Sequence, residues 1–409
     1  MLALHVFFLW SIRGRIARGD PDFTVYYTAG KMLREGRGAQ LYDPQAELEV
    51  QREFTSDSDI RRGPLPYIHP PFEAIFFLPL TCLQYATAFV VWDIVNLGML
   101  AGALWVLRRL LVGLRHIPLL DCLLAVLALF PIVANFHQGQ DAILLLLVLV
   151  LSFRSLERDA DFAAGCWLGL GVFKFQFVVP VALLLILWRG LSWKGGSWTG
   201  GSWTGKKLAL GFTAVASAAV LLSIALVGWP AALRYPEYSW RIVSSVRLGG
   251  LPFRLMPNLV GLVNGWPVLE DVGWLRWLAV AGSVALLVMA ARMKARVHGQ
   301  LHLRLACAVI AAVTISYNTN TYDLALLILP LALVVNYGLS APDPAQTLRR
   351  LLLPASPLLV SPLWFFLWIY WARTNLMAIF LLWWFYAIWR ESQRIATAAA
   401  SDAELRVRC

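Results

Sequence analysis

The sequence predicts an all-α polytopic membrane protein, and three observations support this fold class. Of the 409 residues, 59% are hydrophobic and only 14% are charged. The apolar runs, such as LLLLVLVLSF and VALLLILW, do not alternate with polar residues as the strands of a membrane barrel do. The 19 Trp and 12 Tyr suit the aromatic belts at membrane surfaces. Because only helices and closed barrels satisfy backbone polar groups in lipid, a helical bundle is the architecture that remains.

The net charge of +11 does not indicate nucleic-acid binding. Lys and Arg lie between the apolar runs, where the positive-inside rule and anionic lipids account for them. The five Cys residues show no metal-ligand or disulfide spacing, so we predict buried thiols. We also predict no cofactor, although a lone acid together with a substrate phosphate is able to hold a divalent ion weakly.

The first apolar run, Met1–Trp10, is short for a transmembrane helix, which needs about 20 residues. Either this helix is tilted or incomplete, or the chain starts further upstream. Residues 19–66 follow as a first external loop, with short helices predicted at Phe23–Leu33 and Glu47–Phe54. The apolar stretch Ile68–Leu80 is interrupted by prolines, which favours a half-buried or re-entrant segment.

Ala86–Leu107 is long enough to span a membrane, and pairs of shorter apolar arms occur after it. Basic residues flank the arms, so the positive-inside rule places the polar tips between them on the external face. The paired arms are Leu119–Ala134 with Ala142–Phe153, Phe162–Val172 with Phe177–Trp188, and Leu303–Ile315 with Leu324–Val335.

The segment 190–207 contains a tandem GGSWT repeat and is predicted to be a flexible cytosolic linker. The segment 229–271 mixes aromatic and basic residues, which fits a second external loop with a helix lying in the interface. Residues 1–390 then form one transmembrane domain of about twelve crossings, and 391–409 form a cytosolic tail. The remaining predicted spans are Leu208–Val227, Val272–Ala291, Leu351–Trp371 and Leu376–Trp389.

Polar groups of these loops and tips gather on one predicted face of the membrane. They are Asp20 and Asp22, His69, His137–Gln140, Lys174, the stretch from Arg241 to Asn258, and the stretch from Tyr317 to Asp323. Ionisable groups beside lipid are costly to desolvate, so their gathering suggests a site at membrane level. For Asp22, the alternative is a helix N-cap at the start of Phe23–Leu33.

An ordered set of short motifs runs through the chain from about residue 19 to residue 335. It resembles glycosyltransferase family 87. The matching residues are D-F-x-x-Y-Y-x-A-G from Asp22, L-Y-D-P at Leu41 to Pro44, Tyr67 with Pro70 and Pro71, Gly139-Gln140, Gly169 or Gly171 with Lys174, and Tyr322-Asp323-Leu324 through Pro330.

The resemblance implies a GT-C-like helical bundle with external juxtamembrane helices, in the cytoplasmic (inner) membrane of a cell. It also implies transfer of a sugar, mannose in mycobacterial members, from a polyprenyl-phosphate donor to a lipid or glycan acceptor on the external, periplasmic side. The position that matches the family's catalytic base is Asp22, and the family's later basic residue matches Lys174. The chain departs from some relatives in its late external loop, where Tyr317–Thr321 contains no histidine.

Inverting glycosyl transfer needs one base to accept the proton of the acceptor hydroxyl. The phosphate that leaves needs cations instead of an acid. We therefore predict that Lys174, Arg241, Arg247 and Arg254 bind the donor phosphate. The alternative is a snorkelling lysine for Lys174 and lipid-headgroup contact for each arginine.

Further polar and aromatic residues on the same face are candidates for substrate binding. They are Asp20, Tyr26, Tyr27, Tyr67, His69, His137, Gln140, Asn258 and Tyr322. Asp20 is also the rival base, since it lies two residues from Asp22. The alternatives are a hydrogen-bonded interfacial imidazole for the histidines, helix capping for Gln140 and interfacial packing for the tyrosines.

Two other classes of function compete with a glycosyltransferase. A transporter or flippase of a lipid-linked or anionic substrate best explains short arms that point the same way. A non-catalytic membrane scaffold needs no gathered polar face. No P-loop or Rossmann glycine motif is evident, which disfavours a soluble nucleotide-sugar donor.

Overall fold

The computed structural model describes residues 2–55, 65–194, 197–200, 203–245, 250–265, 274–293, 300–359, 367, 370–371 and 375–408. Within these ranges the regular secondary structure is helical apart from one small hairpin. The α-helices are α1 Leu2–Ala17, α2 Phe23–Arg34, α3 Pro44–Arg52, α4 Ala74–Phe77, α5 Tyr85–Leu110, α6 Leu119–Leu127, α7 Phe130–Gln138, α8 Ala142–Leu156, α9 Asp161–Leu170, α10 Phe175–Gly190, α11 Trp203–Val227, α12 Trp229–Val243, α13 Leu259–Asn264, α14 Leu275–Ala291, α15 Gln300–Ile315, α16 Ile328–Leu339, α17 Pro344–Leu352, α18 Ser356–Leu359 and α19 Met377–Arg408.

Short 3₁₀ turns connect or extend several of these helices. They are Gly38–Gln40, Pro71–Glu73, Leu78–Cys82, Val112–Leu114, Gly171–Lys174, Phe253–Leu255, Thr321–Leu327 and Leu353–Ala355. Most of them adjoin a proline or glycine, or lie at a helix end, where tighter turns are common.

Four helical segments of the described chain are long and apolar enough to cross a membrane. They are Tyr85–Leu110, Asp161–Gly190, Thr204–Val227 and Thr321–Leu339. The pair α6 and α7, bent by 77°, makes a fifth if it counts as one broken span. The predicted all-helical membrane class is confirmed at this level, but about twelve crossings are not, because helices such as α8 and α15 have only 15 and 16 residues.

Lys174 does not lie at an outward tip between two arms. Helices α9 and α10 are joined by the 3₁₀ turn Gly171–Lys174 into one segment of 30 residues, with Lys174 near its middle. The predicted pair of apolar arms with Lys174 at an external tip was therefore wrong. A charge inside an apolar run indicates an exposed turn only if water solvates that charge. In this fold, buried carboxylates meet the charge instead.

The predicted flexible linker contains regular structure. Strands β1 (Leu191–Lys194) and β2 (Ser197–Gly200) form an antiparallel pair in which Trp193 is opposite Trp198. Trp198 belongs to the first GGSWT unit, whereas Trp193 precedes the tandem repeat. At the C-terminal end of the chain, α19 continues to Arg408. The predicted tail, 391–409, is therefore mostly the last part of a long helix.

Glycines allow α9 and α11 to pack closely. A Cβ atom at Gly165 would collide with the backbone of Leu208, and one at Gly211 would collide with the backbone of Phe162. Small residues at a helix crossing let backbones approach in this way, and dispersion contacts between them stabilise the pair. Outward-facing Leu221 and Leu222 leave the other side of α11 apolar and exposed, as a lipid-facing surface would be.

Two hydrophobic clusters surround the candidate site. The larger one contains the inner faces of α8, α10, α15 and α16. The smaller one is built around α2, whose Phe23, Tyr26 and Met32 are fully buried against the segment containing Phe77 and the first turns of α5. The polar residues described below lie where α2 meets the end of α7 and the start of α8.

Candidate active site

Asp22 lies at the N-cap position of α2, but its side chain does not cap the helix. Its Oδ2 accepts a hydrogen bond of 2.8 Å from Nε2 of Gln140, and its backbone N–H donates to Oε1 of Gln138 at 3.0 Å. The capping alternative is therefore wrong for the carboxylate. Gln138, the last residue of α7, thus holds the start of α2, and Gln140, just after α7, orients the carboxylate.

Gly139 is the reason that Gln140 reaches Asp22. It ends α7 with φ of 59°, a left-handed conformation that glycine adopts at low cost. Its carbonyl accepts a hydrogen bond of 2.9 Å from Nε1 of Trp92. The next carbonyl, that of Gln140, accepts from Nδ2 of Asn96 and of Asn135 at 3.2 and 3.1 Å. This turn is therefore fixed by side chains of α5 and α7.

Tyr26 is one helical turn after Asp22 and faces the same residues. Its hydroxyl donates to Oε1 of Gln140 at 2.8 Å and approaches Oδ1 of Asp141 at 3.2 Å. Burial, together with the nearby carboxylate of Asp141, raises the pKa of Tyr26 well above its usual value. The phenol stays protonated and donates, so that Gln140 accepts from Tyr26 with one end of its amide and donates to Asp22 with the other.

A cavity of about 490 Å³ opens beside these residues. Its size is within the range of sites for small ligands. Six of the predicted site residues line it: Asp22, Tyr26, His69, His137, Gln140 and Tyr322. The cavity also brings together segments that are far apart in the chain, among them 65–69, 242–243, 250–252 and 318–322.

Asp20 does not line the cavity, although it is close to Asp22 in sequence. Its Oδ2 forms an ion pair of 3.0 Å with Nε of Arg15 in α1. The two acids thus have different surroundings, and only Asp22 is among the residues that line the cavity.

Three other candidates make structural contacts outside the cavity lining. The hydroxyl of Tyr27 donates to the carbonyl of Leu83 at 2.7 Å, and that of Tyr67 donates to the carbonyl of Pro70 at 3.0 Å. Asn258 caps α13, where its side chain accepts from a backbone N–H, and its Nδ2 donates to a backbone carbonyl of the late loop. These contacts match the packing alternative for the tyrosines.

Lys174 is buried and is not among the residues that line the cavity. Its Nζ is 2.7 Å from Oδ1 of Asp323 and 2.9 Å from Oδ1 of Asp141. Because two carboxylates already surround this ammonium group, the geometry argues against direct contact with a donor phosphate. It also argues against the snorkelling alternative, since the charge points into the protein.

The predicted arginines are not brought to the cavity by the described part of the chain. Arg241 is exposed and pairs with Glu237 of its own helix at 2.6 Å. Arg254 is exposed as well and does not line the cavity. Arg247 lies outside the described residues. Among the described residues that line the cavity there is no Lys or Arg.

Sequence reasoning missed two buried acids behind the cavity, Glu73 and Asp141. Nδ1 of His69 is 2.9 Å from Oε2 of Glu73. Burial lowers the pKa of His69 to about 4, so its imidazole is neutral near pH 7. Burial disfavours the charged form of Asp141, but Lys174 and the hydrogen bonds around it outweigh this effect and lower its pKa. The signal was present: Glu73 follows His69 by one helical turn, and Asp141 follows Gln140 directly.

The arrangement presents one carboxylate to a cavity at the end of apolar helices, with its orientation fixed by an amide and a phenol. A carboxylate held in this way is suited to accept a proton from a bound hydroxyl. Together, fold and site define a membrane protein with the features of a group-transfer enzyme.

The family model for glycosyltransferase family 87 matches residues 67–330, more than half of the chain. The chain therefore belongs to glycosyltransferase family 87, and the predicted family and enzyme class are confirmed. The matched residues include Gln140, Lys174 and Asp323 but begin after Asp22, so the role of Asp22 depends on the geometry described above.

Two relatives are named polyprenol-phosphate-mannose-dependent alpha-(1-2)-phosphatidylinositol pentamannoside mannosyltransferase. The one from Mycobacterium tuberculosis (strain CDC 1551 / Oshkosh) is 30% identical over 87 residues, 20% of this chain and 20% of the relative. The one from Mycolicibacterium smegmatis (strain ATCC 700084 / mc(2)155) is 32% identical over 126 residues, 30% of this chain and 28% of the relative. The chain thus matches less than a third of the length of these curated relatives.

Proposed function

We propose that the protein transfers a mannosyl group from polyprenyl-phosphate-mannose to a hydroxyl of a lipid or glycan acceptor, with Asp22 as the base. The observation that carries the proposal is the hydrogen bond of 2.8 Å by which Gln140 orients the Asp22 carboxylate at the cavity. Family membership supplies the reaction class, and the two mannosyltransferase relatives support the donor.

The proposed reaction is a single displacement with inversion at the sugar. The acceptor oxygen forms a bond to the anomeric carbon while the bond from that carbon to the phosphate oxygen breaks. The acceptor proton goes to Asp22, and the phosphate leaves with the bonding electrons. No general acid is required, because the phosphate is a stable anion once it has left.

The donor phosphate still needs partners. On the cavity wall, side-chain donors are available from His137, Asn318 and Asn320. Arg247 remains a predicted phosphate ligand, since it lies in sequence between Val243 and Gly250, which both line the cavity. We propose that these groups bind the phosphate.

Lys174 takes a different part in this proposal. Its ion pairs hold Asp141 and Asp323, and Asp141 in turn lies 3.2 Å from the hydroxyl of Tyr26. Through Tyr26 and Gln140 this contact reaches the carboxylate of Asp22. Lys174 is thus a positioning residue. The active face is proposed to be the external side of the cell membrane, in line with the distribution of basic residues.

The test is transfer of radiolabelled mannose from polyprenyl-phosphate-mannose to extracted lipids and glycans, using membranes that contain the protein. Asp22→Asn should lower transfer by about 100-fold or more, because the base is lost. Asp20→Asn is the matched control, since it removes a neighbouring carboxylate that pairs with Arg15 outside the cavity lining. Unchanged transfer by Asp22→Asn would exclude it as the base, and loss with Asp20→Asn alone would give that role to Asp20.

A transporter or flippase is the second candidate, and the break of 77° between α6 and α7 favours it. Interrupted helices beside a polar site are typical of transporters. Proteoliposomes containing the lipid-linked sugar distinguish the two functions. The result supports transport if the wild type transfers no mannose and the Asp22→Asn variant still moves the lipid across the bilayer. It would then exclude the proposed mannosyl transfer.

A further inference from the structure

A cluster of three side chains adjoins the cavity, which His69 lines, and it contains neither the proposed base nor Gln140. It consists of His69, Glu73 and Asp141, and one ligand atom from each lies within 4.8 Å of the others. The side chains of Glu73 and Asp141 are both 0% exposed. In the described chain, Oε1 of Glu73 and Oδ2 of Asp141 find no hydrogen-bond donor. Ionised carboxylate oxygens in this state are costly, so the pair needs either a proton that Glu73 shares with Asp141 or a bound cation.

The charges lead to the same conclusion. Lys174 contacts the buried carboxylates of Asp141 and Asp323, and the buried carboxyl group of Glu73 interacts electrostatically with both Lys174 and Asp141. With all four groups ionised, the excess is two negative charges. Neutrality requires either protons on the carboxyl groups or a divalent cation, and a divalent cation balances the excess in one step.

The distance between two of the three ligand atoms suits a metal ion. Nδ1 of His69 and Oε2 of Glu73 are 2.9 Å apart. Two donors that share one ion at about 2.1 Å lie roughly 3 Å from each other. Lys174 contacts Oδ1 of Asp141, which leaves Oδ2 for the ion. One imidazole with two carboxylates fits Zn²⁺ or Mn²⁺ better than Ca²⁺ or Mg²⁺, which prefer oxygen ligands.

We propose that His69, Glu73 and Asp141 bind a divalent transition-metal ion, Zn²⁺ by first preference. Such an ion joins the segment that carries His69 and Glu73 to the start of α8, where Asp141 is the first residue before the helix. Tyr26 contacts both the cluster and Gln140, so the ion would fix the part of the cavity wall to which His69 belongs. Three protein donors leave a coordination position for water.

The experiment measures the metal content of the full chain, purified in detergent, by inductively coupled plasma mass spectrometry. The protein is stripped with EDTA, incubated with ZnCl₂ and dialysed. We expect about one equivalent of Zn²⁺ in the wild type and at least a tenfold loss of affinity in Glu73→Gln. Glu47→Gln is the matched control, because Glu47 is another buried carboxylate, bound to Tyr67 and Tyr238 instead of a histidine. We expect it to retain the metal.

Two results would overturn the proposal. One is a wild type that retains neither Zn²⁺ nor Mn²⁺, which would mean that protons neutralise the cluster. The other is equal metal content in Glu73→Gln and Glu47→Gln. A second measurement covers the case in which Glu73→Gln does not fold: EDTA should lower the Tm of the wild type and ZnCl₂ should restore it, whereas an unchanged Tm contradicts the proposal. No sugar donor is present, so failure of the mannosyltransferase proposal does not affect the result.

Discussion

At the scale of single residues, Gln140 has a property that no other common side chain of its size offers. Its amide accepts from Tyr26 at one end and donates to Asp22 at the other. A glutamate would place a second negative charge beside Asp22, and a leucine would leave the carboxylate without its donor. The amide is thus chemically matched to a neutral phenol on one side and a carboxylate on the other.

We expect Gln140→Leu to lower kcat/KM for mannosyl transfer by roughly tenfold to a hundredfold, the size of a hydrogen bond to a charged group. The acidic limb of the pH–rate profile should move to higher pH, since the carboxylate loses a hydrogen bond to its charged form. Steady-state kinetics over a range of pH check both. A lowered rate with an unmoved acidic limb would mean that Gln140 only supports the fold.

Glu47 gives a pH dependence of stability that can be measured without substrate. Burial raises the pKa of Glu47 to about 8 from its ordinary value of 4.5, with Asp43 nearby adding to the effect, while hydrogen bonds from Tyr67 and Tyr238 oppose it. The folded state therefore keeps a proton that the unfolded state has lost. Its contribution to stability is largest below pH 4.5 and decreases as the pH rises to about 8.

The expected result is a Tm that falls between pH 6.5 and pH 8, by the equivalent of about 1.4 kcal/mol for each pH unit that this group controls. Glu47→Gln should remove the share of that slope that Glu47 contributes, because a neutral amide does not titrate. The range starts at 6.5 because the buried His69, with its pKa of about 4, affects stability only below its ordinary value of 6.5. Equal slopes in the two proteins would contradict the assignment.

Sequence alone found Asp22, Tyr26, His69, His137, Gln140 and Tyr322, which all line the cavity. These residues belong to motifs or to polar interruptions of apolar runs, and such signals are local. Glu73 and Asp141 are close in sequence to the predicted residues His69 and Gln140, but they were missed because the sequence does not show that the two acids are buried together. The ion pair between Lys174 and Asp323 was also missed, because the two residues are 149 positions apart in the chain.

At the scale of elements, the turn at Gly139 links α7 to α2. A Cβ atom at position 139 would lie 2.7 Å from the Cβ of Phe23 and 2.9 Å from Cε2 of Phe89. With φ of 59°, the backbone is also unfavourable for other residues. Contact and conformation therefore both require glycine where the chain turns towards Asp22.

We expect Gly139→Ala to destabilise the protein by about 1–3 kcal/mol and to reduce transfer activity, because Phe23 and Gln140 are displaced. Gly102→Ala, within α5, is the control: no atom lies within 4 Å of the new methyl group, and alanine favours helices by roughly 0.5–1 kcal/mol. Thermal denaturation in detergent compares the two. Equal or greater stability of Gly139→Ala would show that the turn tolerates a side chain.

Helix limits were predicted well where apolar patterns were long or bounded by glycine. The predicted Phe23–Leu33 is observed as Phe23–Arg34, and Ala86–Leu107 as Tyr85–Leu110. The hairpin of arms around Lys174 was wrong, because sequence pattern does not show whether a charge meets water or a carboxylate. The number of crossings stays a prediction, since several of the described apolar helices are shorter than a full span.

At the scale of the whole molecule, Lys174 connects three parts of the chain through Asp141 and Asp323. Lys174→Met should destabilise the protein by about 3–5 kcal/mol, because it leaves two buried carboxylates without their cation. The double variant Lys174→Met with Asp323→Asn should recover part of the loss. Chemical denaturation measures both, and a single variant as stable as the wild type would mean that the carboxylates are neutral without the lysine.

The same three charges have a consequence for the synthesis of the protein. Asp141 precedes Lys174 in the chain, whereas Asp323 follows it by 149 residues. When the segment Asp161–Gly190 leaves the ribosome, Asp141 is the one partner already synthesised, so we expect the first acid to compensate the lysine during membrane insertion. The second acid joins only when the C-terminal half arrives. We therefore expect nascent chains that end before residue 323 to insert this segment less efficiently when they carry Asp141→Asn than when they carry Asp141. The order of translation would then affect how a charged helix enters lipid.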